Sequence, residues 1–252
     1  MNVFLTGASS GIGEALARLY AGRGAKLGLV ARRADLLESL AGSLPEGADT
    51  YTADVRDAGA LKAAAADFMS RHGPPDLVIA NAGISHGTLT EHAEDIEVFR
   101  DILEVNVMGM VNTFHPFVAP MRKAGRGTLV GVASVAGYRG CAGGGAYSAA
   151  KAAAIRYLES LRLDLRGSGV RVATICPGYI ATPMTEKNPY AMPFIISADD
   201  FAGRFARALD AGKDYAVIPW QMAIVSRILM LLPNAVFDAA FSRSGRKPRR
   251  TP

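Results

Sequence analysis

The chain is poor in the residues that would place it in several large functional classes. Its 252 residues include two cysteines, one tryptophan and four histidines. Cys141 and Cys176 form no Cys-x-x-Cys pair and no disulfide framework, so they read as the reduced thiols of a cytoplasmic protein. His72, His86, His92 and His115 show no paired ligand spacing, which leaves no expectation of a metal site. The longest apolar stretches are interrupted by Arg227, Pro233 and Asp238, short of the ~20 apolar residues that span a bilayer. No charged segment followed by an apolar one precedes the first apolar run, so no secretory leader is expected. The net charge of +5 is not spread over the chain. Arg243, Arg246, Lys247, Arg249 and Arg250 lie after Phe241 with no acidic residue among them, which leaves 23 basic against 23 acidic residues elsewhere. The body is neutral, and a nucleic-acid partner is not expected.

Half of the residues are apolar, enough for one domain spanning 1–252 with a large core. Apolar, β-branched-rich runs occur at 2–6, 26–31, 49–53, 76–80, 127–133, 170–176 and 215–219. Helical patterns rich in alanine and leucine separate most of them. This alternation predicts a doubly wound α/β fold, a Rossmann-type parallel sheet of about seven strands with helices on both faces. Such sheets bind ligands at the carboxyl ends of their strands, where the strand order reverses.

Three groups of residues carry chemistry. The first apolar run enters Gly7-Ala8-Ser9-Ser10-Gly11-Ile12-Gly13 and a helical pattern leaves it. Glycines there permit a tight bend and close backbone approach, and the helix N-terminus offers free N–H groups to a pyrophosphate. After the second run stand Arg32 and Arg33, where an acidic residue would bind the ribose 2′-hydroxyl of NAD. Two guanidinium groups suit a 2′-phosphate instead, which predicts NADP(H). Finally, Tyr147 and Lys151 are four residues apart and share a helix face. A positive charge beside a phenol favours the phenolate, so Lys151 is expected to lower the Tyr147 pKa.

These groups and others stand in a fixed order: Thr6 to Gly13, Asp54-Val55, Asn81-Ala82-Gly83, Asn106, Ser134, Tyr147 with Lys151, and Pro177-Gly178-Tyr179-Ile180-Ala181-Thr182. Ser134 precedes Tyr147 by thirteen residues. In these motifs the chain, up to about Pro219, resembles the short-chain dehydrogenase/reductase family. The resemblance implies an NADP(H)-dependent oxidoreductase that interconverts a carbonyl and a secondary alcohol by hydride transfer. It implies Tyr147 as proton donor, Lys151 on the nicotinamide ribose, Ser134 on the substrate oxygen, and Asn106 holding a water that links Lys151 to solvent. It also implies coenzyme contacts from Gly7, Ser9, Ser10, Gly11, Ile12 and Gly13, from Asp54 and Val55 at adenine, and from Asn81, Ala82 and Gly83 beside the ribose. Pro177, Gly178, Ile180 and Thr182 would lie at the nicotinamide.

The end of the chain departs from the family pattern. Residues 220–241 read as apolar helices and 242–252 as a basic, solvated tail. Trp220, Ile224, Ile228 and Leu231 fall at helical spacing and are expected to bury their face against the core or a dimer partner. The alternative is peripheral contact with an anionic membrane through these helices and the tail. A homodimer or higher homo-oligomer is expected, paired through the helix that carries Tyr147. Residues 184–199, with Pro189 and Pro193 among apolar side chains, read as a substrate lid and favour an apolar or lipid-like small molecule. The same motifs would serve 3-oxoacyl-[acyl-carrier-protein] reduction, for which Arg139 is the lone basic candidate beside the site. From another class, a redox sensor would keep the coenzyme without turnover, but all four catalytic positions are intact.

Overall fold

A computed structural model describes residues 1–242 and 245–250. In chain order the elements begin β1 (Asn2–Thr6), α1 (Gly11–Gly22), β2 (Lys26–Ala31), α2 (Ala34–Gly42), β3 (Asp49–Thr52), α3 (Ala58–His72) and β4 (Leu77–Ala80). They continue with α4 (Glu94–Leu103), a π-helical turn (Glu104–Met108), α5 (Gly109–Ala124), β5 (Thr128–Val132), α6 (Gly145–Asp164) and β6 (Arg171–Pro177). The last part holds β7 (Ile180–Ala181), α7 (Pro183–Glu186), β8 (Ile196–Ser197), α8 (Ala198–Asp210), β9 (Tyr215–Ile218), α9 (Trp220–Leu231) and α10 (Asn234–Phe241).

Seven strands form one sheet in the order β3-β2-β1-β4-β5-β6-β9, and every pairing is parallel. This is the doubly wound Rossmann architecture, with the reversal of strand order between β1 and β4. The sheet is buried on both faces, so its inner strands are apolar throughout rather than alternating. Within β1, Leu5 points to a layer with Leu16, Leu37, Phe201 and Phe205, from α1, α2 and α8. Its neighbour Phe4 points to the opposite layer with Phe68, Phe114, Phe117 and Leu158, from α3, α5 and α6. Each such side chain contributes about 1.5–3 kcal/mol on burial. Local signals set the helix ends. Asp57 accepts from the Ala60 N–H at the start of α3, Ser197 does the same for Asp200 in α8, and α5 stops at Gly125 with φ 64°.

Two expectations for the C-terminal region change: the α9 stripe does not bury against this chain's own core, which leaves only a partner to cover it, and the tail is bound to the body. On α9 the buried positions are Met222 and Ser226, whereas Trp220, Ile224, Ile228 and Leu231 are 63, 50, 54 and 84 % exposed. The helix is apolar on more than one side, and the Met222 side faces Gly178 and the core. The tail is not a solvated end either. Arg249 pairs with Glu94 and the buried Asp95, and Arg250 with Asp101, all three acids being on α4. Arg243 of the expected tail lies outside the described residues. Among the described residues no helix is long and apolar enough to cross a membrane.

Candidate active site

At the carboxyl ends of β1, β2, β4, β5 and β6 the chain leaves a cavity of about 270 Å³. The β1–α1 turn forms its floor. Gly7 sits at φ 71°, and a Cβ there would lie 2.7 Å from the Ala82 Cα, so both conformation and space require glycine. Asn81 fixes this turn by donating from Nδ2 to the carbonyls of Thr6 and Gly7, at 3.2 and 3.1 Å. The α1 N-terminus opens into the cavity with no side chain capping it. Its first-turn N–H groups are therefore free to receive an anion. Gly13 alone among the expected coenzyme contacts does not line the cavity. It packs beneath the turn, where a Cβ would run into the Gly7 carbonyl.

The two arginines after β2 differ in setting. Arg33 donates to the Ser9 and Ser10 hydroxyls at 3.0 and 2.7 Å, so a guanidinium and two hydroxyls meet at one rim of the cavity. Arg32 points to Asp54 at 3.7 Å. Asp54 belongs more firmly to Arg56, whose hydrogen bonds hold its carboxyl below the usual carboxylate range. Uncapped N–H groups, a glycine floor and a basic rim together fit a dinucleotide with a phosphate on its adenosine ribose.

The opposite wall holds Asn106, Ser134, Tyr147 and Lys151. Asn106 lies in the π-helical turn and donates to the Ile84 and Ile102 carbonyls, each at 2.9 Å. Among the described residues its buried Oδ1 has no partner. A Cβ on Gly83 would lie 2.6 Å from that oxygen and 3.7 Å from Lys151 Nζ, so the glycine keeps the space between them open. An orphaned acceptor facing an ammonium across a small polar gap is a place for water. Ser134 caps a short 3₁₀ turn, Val135–Gly137, by accepting from the Ala136 N–H.

Lys151 is 4 % exposed and donates to the Val132 carbonyl at 2.9 Å. Burial brings its ammonium pKa down to about 8. Tyr147 departs from expectation. Burial raises its phenol above the usual value, opposed by a hydrogen bond with Ser134. Lys151 Nζ lies 5.7 Å from the tyrosine ring but is directed at Val132, and it is itself disfavoured as a cation. Desolvation therefore outweighs the expected attraction in the ligand-free protein.

Ser134, Tyr147, Gly178, Met184 and Thr185 also line a second, larger cavity of about 570 Å³. Its walls are mainly apolar and aromatic, with Tyr179 and Tyr190 from one side and Met222, Val225 and Leu229 from α9. Residues of the expected lid, Asn188 to Ala191, border it. Arg139 is at its edge, stacked 4.1 Å from the Phe237 ring and donating to Asn234. Sequence alone missed Ser85 and Lys247, which also line this cavity. It missed Gly137 too, where a Cβ would come within 2.9 Å of the Lys151 backbone.

A cleft at the α1 N-terminus, joined through Ser134 and Tyr147 to a larger and more apolar chamber, is the arrangement of a coenzyme-dependent oxidoreductase on a Rossmann sheet. The chain belongs to the short-chain dehydrogenase/reductase family, whose sequence model, described as short chain dehydrogenase, matches residues 1–192. It is 38 % identical over 242 residues to an uncharacterized oxidoreductase of Myxococcus xanthus, with 95 % of each chain covered. It is 32 % identical to the cis-4-hydroxycyclohexanecarboxylate dehydrogenase of Sinomonas cyclohexanicum, covering 85 % of this chain and 87 % of that one. The solved alcohol dehydrogenase of Thermococcus sibiricus, complexed with 5-hydroxy-NADP, superposes with a TM-score of 0.77 at 27 % identity. That match covers 86 % of this chain and 95 % of the other.

Proposed function

We propose that the protein is an NADP(H)-dependent enzyme interconverting a ketone and a secondary alcohol on an apolar small molecule. The observation that carries this reading is the shared wall, because Ser134 and Tyr147 face the cleft at the α1 N-terminus and the apolar chamber at once. Gly7, Ser9, Ser10, Gly11 and Ile12 would hold the pyrophosphate, and Arg33 with Arg32 the 2′-phosphate. Asp54 and Val55 would meet adenine, Asn81 to Gly83 the ribose, and Pro177, Gly178, Ile180 and Thr182 the nicotinamide. Bound there, the nicotinamide supplies or accepts the hydride.

Tyr147 gives its proton to the substrate oxygen during reduction and takes it back during oxidation. Ser134 donates a hydrogen bond to that oxygen and holds it in place. Lys151 orients the ribose, and its positive charge favours phenolate formation. A water on Asn106 Oδ1 returns the proton from solvent. The 184–199 segment closes the apolar chamber as a lid, and pairing through α6 would give a dimer.

The test is a coupled screen of ketones and alcohols of graded chain length against NADPH and NADH. NADPH is expected to exceed NADH by at least roughly tenfold in kcat/KM, the scale of one added charged hydrogen bond. Comparable values for the two coenzymes would overturn the coenzyme assignment. Absence of turnover in the whole screen, with tight NADPH binding, would favour a sensor.

A further inference from the structure

Besides α9, the larger cavity has a second wall that the family motifs do not supply. Residues 245–250 return across its mouth as a strap. The Gly87 N–H donates to the Pro248 carbonyl at 2.8 Å, and Gly87 forms a parallel bridge with Arg249. Beyond that point Arg249 Nε reaches Asp95 at 2.8 Å, and Arg250 reaches Asp101 at 2.9 Å. On the other side Gly245 lies against Tyr190, and the Arg246 side chain against Gly143. A Cβ on Gly87 would strike the Lys247 carbonyl, so the strap sits directly on the loop after β4.

Lys247, in the middle of the strap, points inward. Its Nζ lies 5.7 Å from the Tyr147 ring centroid and donates to the Ser85 hydroxyl at 2.8 Å. Arg249 and Arg250 end on carboxylates, whereas among the described residues no carboxylate pairs with Lys247. The ammonium is set among mainly apolar walls, and its burial brings the pKa down to about 8. An unpaired charge in such surroundings is costly. Arg249 and Arg250, ion-paired just beyond it in the strap, nevertheless hold it there, beside the residue proposed to protonate the substrate.

We propose that Lys247 anchors a carboxylate of the substrate, making this enzyme one for oxo acids and hydroxy acids with an otherwise apolar skeleton. This rests on the carbonyl–alcohol reading above. The spacing limits the molecule, because one compound must reach both the Tyr147 hydroxyl and an ammonium 5.7 Å from the same ring. The carboxylate therefore lies only a few bonds from the reacting carbon. A single ammonium with one hydroxyl matches the charge of one carboxylate better than a dianionic phosphate. The apolar skeleton would occupy the chamber between Tyr179 and α9.

The test compares 2-, 3-, 4- and 5-oxo acids with their methyl esters, using NADPH and the full-length chain. At the best spacing the acid should exceed its ester by roughly tenfold or more in kcat/KM, mainly through KM. Lys247→Met should abolish that preference and leave ester turnover within about twofold, and Lys247→Arg should retain part of it. A parallel equal loss for acid and ester in Lys247→Met would overturn the proposal, as would a wild-type preference for the ester at every spacing. Calorimetry with pentanoate and pentanamide supplies a readout free of turnover. Pentanoate should bind the wild type and not Lys247→Met, while pentanamide binds neither. Failure of pentanoate to bind the wild type sinks the carboxylate anchor even if neutral ketones are reduced. Carboxylate-dependent binding without any NADPH-linked turnover supports the anchor and sinks the reductase reading instead.

Discussion

At Lys151 stability and function pull in opposite directions. In the unfolded chain the side chain titrates near 10.5, and in the folded, ligand-free protein at about 8. Below pH 8 both states hold the proton, and the cost of burying the cation is fully present. Between pH 8 and 10.5 the unfolded state binds the proton and the folded state does not, so stability rises with pH through this window. Lys151→Met should therefore be more stable than the wild type at pH 7, by roughly 1–3 kcal/mol, and inactive. Urea titrations at pH 7, 8.5 and 9.5 should show the gap closing as pH rises. A gap independent of pH would show that the lysine is not held as a strained cation. Tyr147→Phe removes only the hydroxyl, so carbonyl reduction should fall by about 10²–10⁴-fold while NADPH affinity stays within a few-fold. A variant retaining most of its turnover would refute the proton-donor role. The pairing of Tyr147 with Lys151 was legible in sequence because a spacing of four fixes a helix face. The direction of the Tyr147 pKa was not, because it depends on how completely distant segments enclose the phenol.

The elements around the site owe their closeness to small residues whose purpose only the structure reveals. Leu158 of α6 lies 2.4 Å from where a Cβ on Gly131 of β5 would be, and the Lys151 backbone lies 2.8 Å from one on Gly137. These two glycines seat α6, with Tyr147 and Lys151, against the strand and turn that carry Ser134. Gly137→Ala must push either the turn or α6 away, because the obstructing atoms include the Lys151 backbone beside the Ile155 side chain. Displacements of this kind change the distance between Ser134 and Tyr147, and a misplacement near 1 Å costs about 10²-fold in rate. We expect kcat to fall roughly 10- to 100-fold with NADPH binding preserved, measured by steady-state kinetics and fluorescence titration. Unchanged kcat would mean that the turn yields without moving Ser134. The strands themselves were legible to within a residue at most ends, since a sheet buried on both faces leaves continuous apolar runs. The π-helical turn around Asn106 was not. Its residues read as ordinary helix, and only the extra residue in the turn aims one amide nitrogen at both the Ile84 and Ile102 carbonyls.

Across the whole molecule the least legible part was the C-terminal end, and the reason is sequence distance. A run of arginines and lysines with no acid nearby reads as solvated. Its partners, Glu94, Asp95 and Asp101, stand about 150 residues earlier, as the separations of 154 and 149 residues for Arg249–Asp95 and Arg250–Asp101 show. Local composition carries no trace of that pairing. The same holds for α9, where periodicity identified an apolar stripe but not which of two apolar sides meets the core. The structure gives the buried role to Met222 and Ser226, and Ser226 returns its hydroxyl to the Met222 carbonyl at 2.7 Å. Two kinds of substitution on this helix should therefore differ sharply. Ile224→Gln and Ile228→Gln alter side chains already half in water and should shift unfolding by no more than about 0.5 kcal/mol. Met222→Ala opens a void between α9 and Gly178 and should cost about 2–5 kcal/mol, with loss of the apolar chamber's far wall. Denaturant unfolding with sedimentation at matched concentrations measures both. A large destabilisation by Ile224→Gln or Ile228→Gln, accompanied by a fall in mass, would show that the exposed stripe is covered by a second copy of the chain.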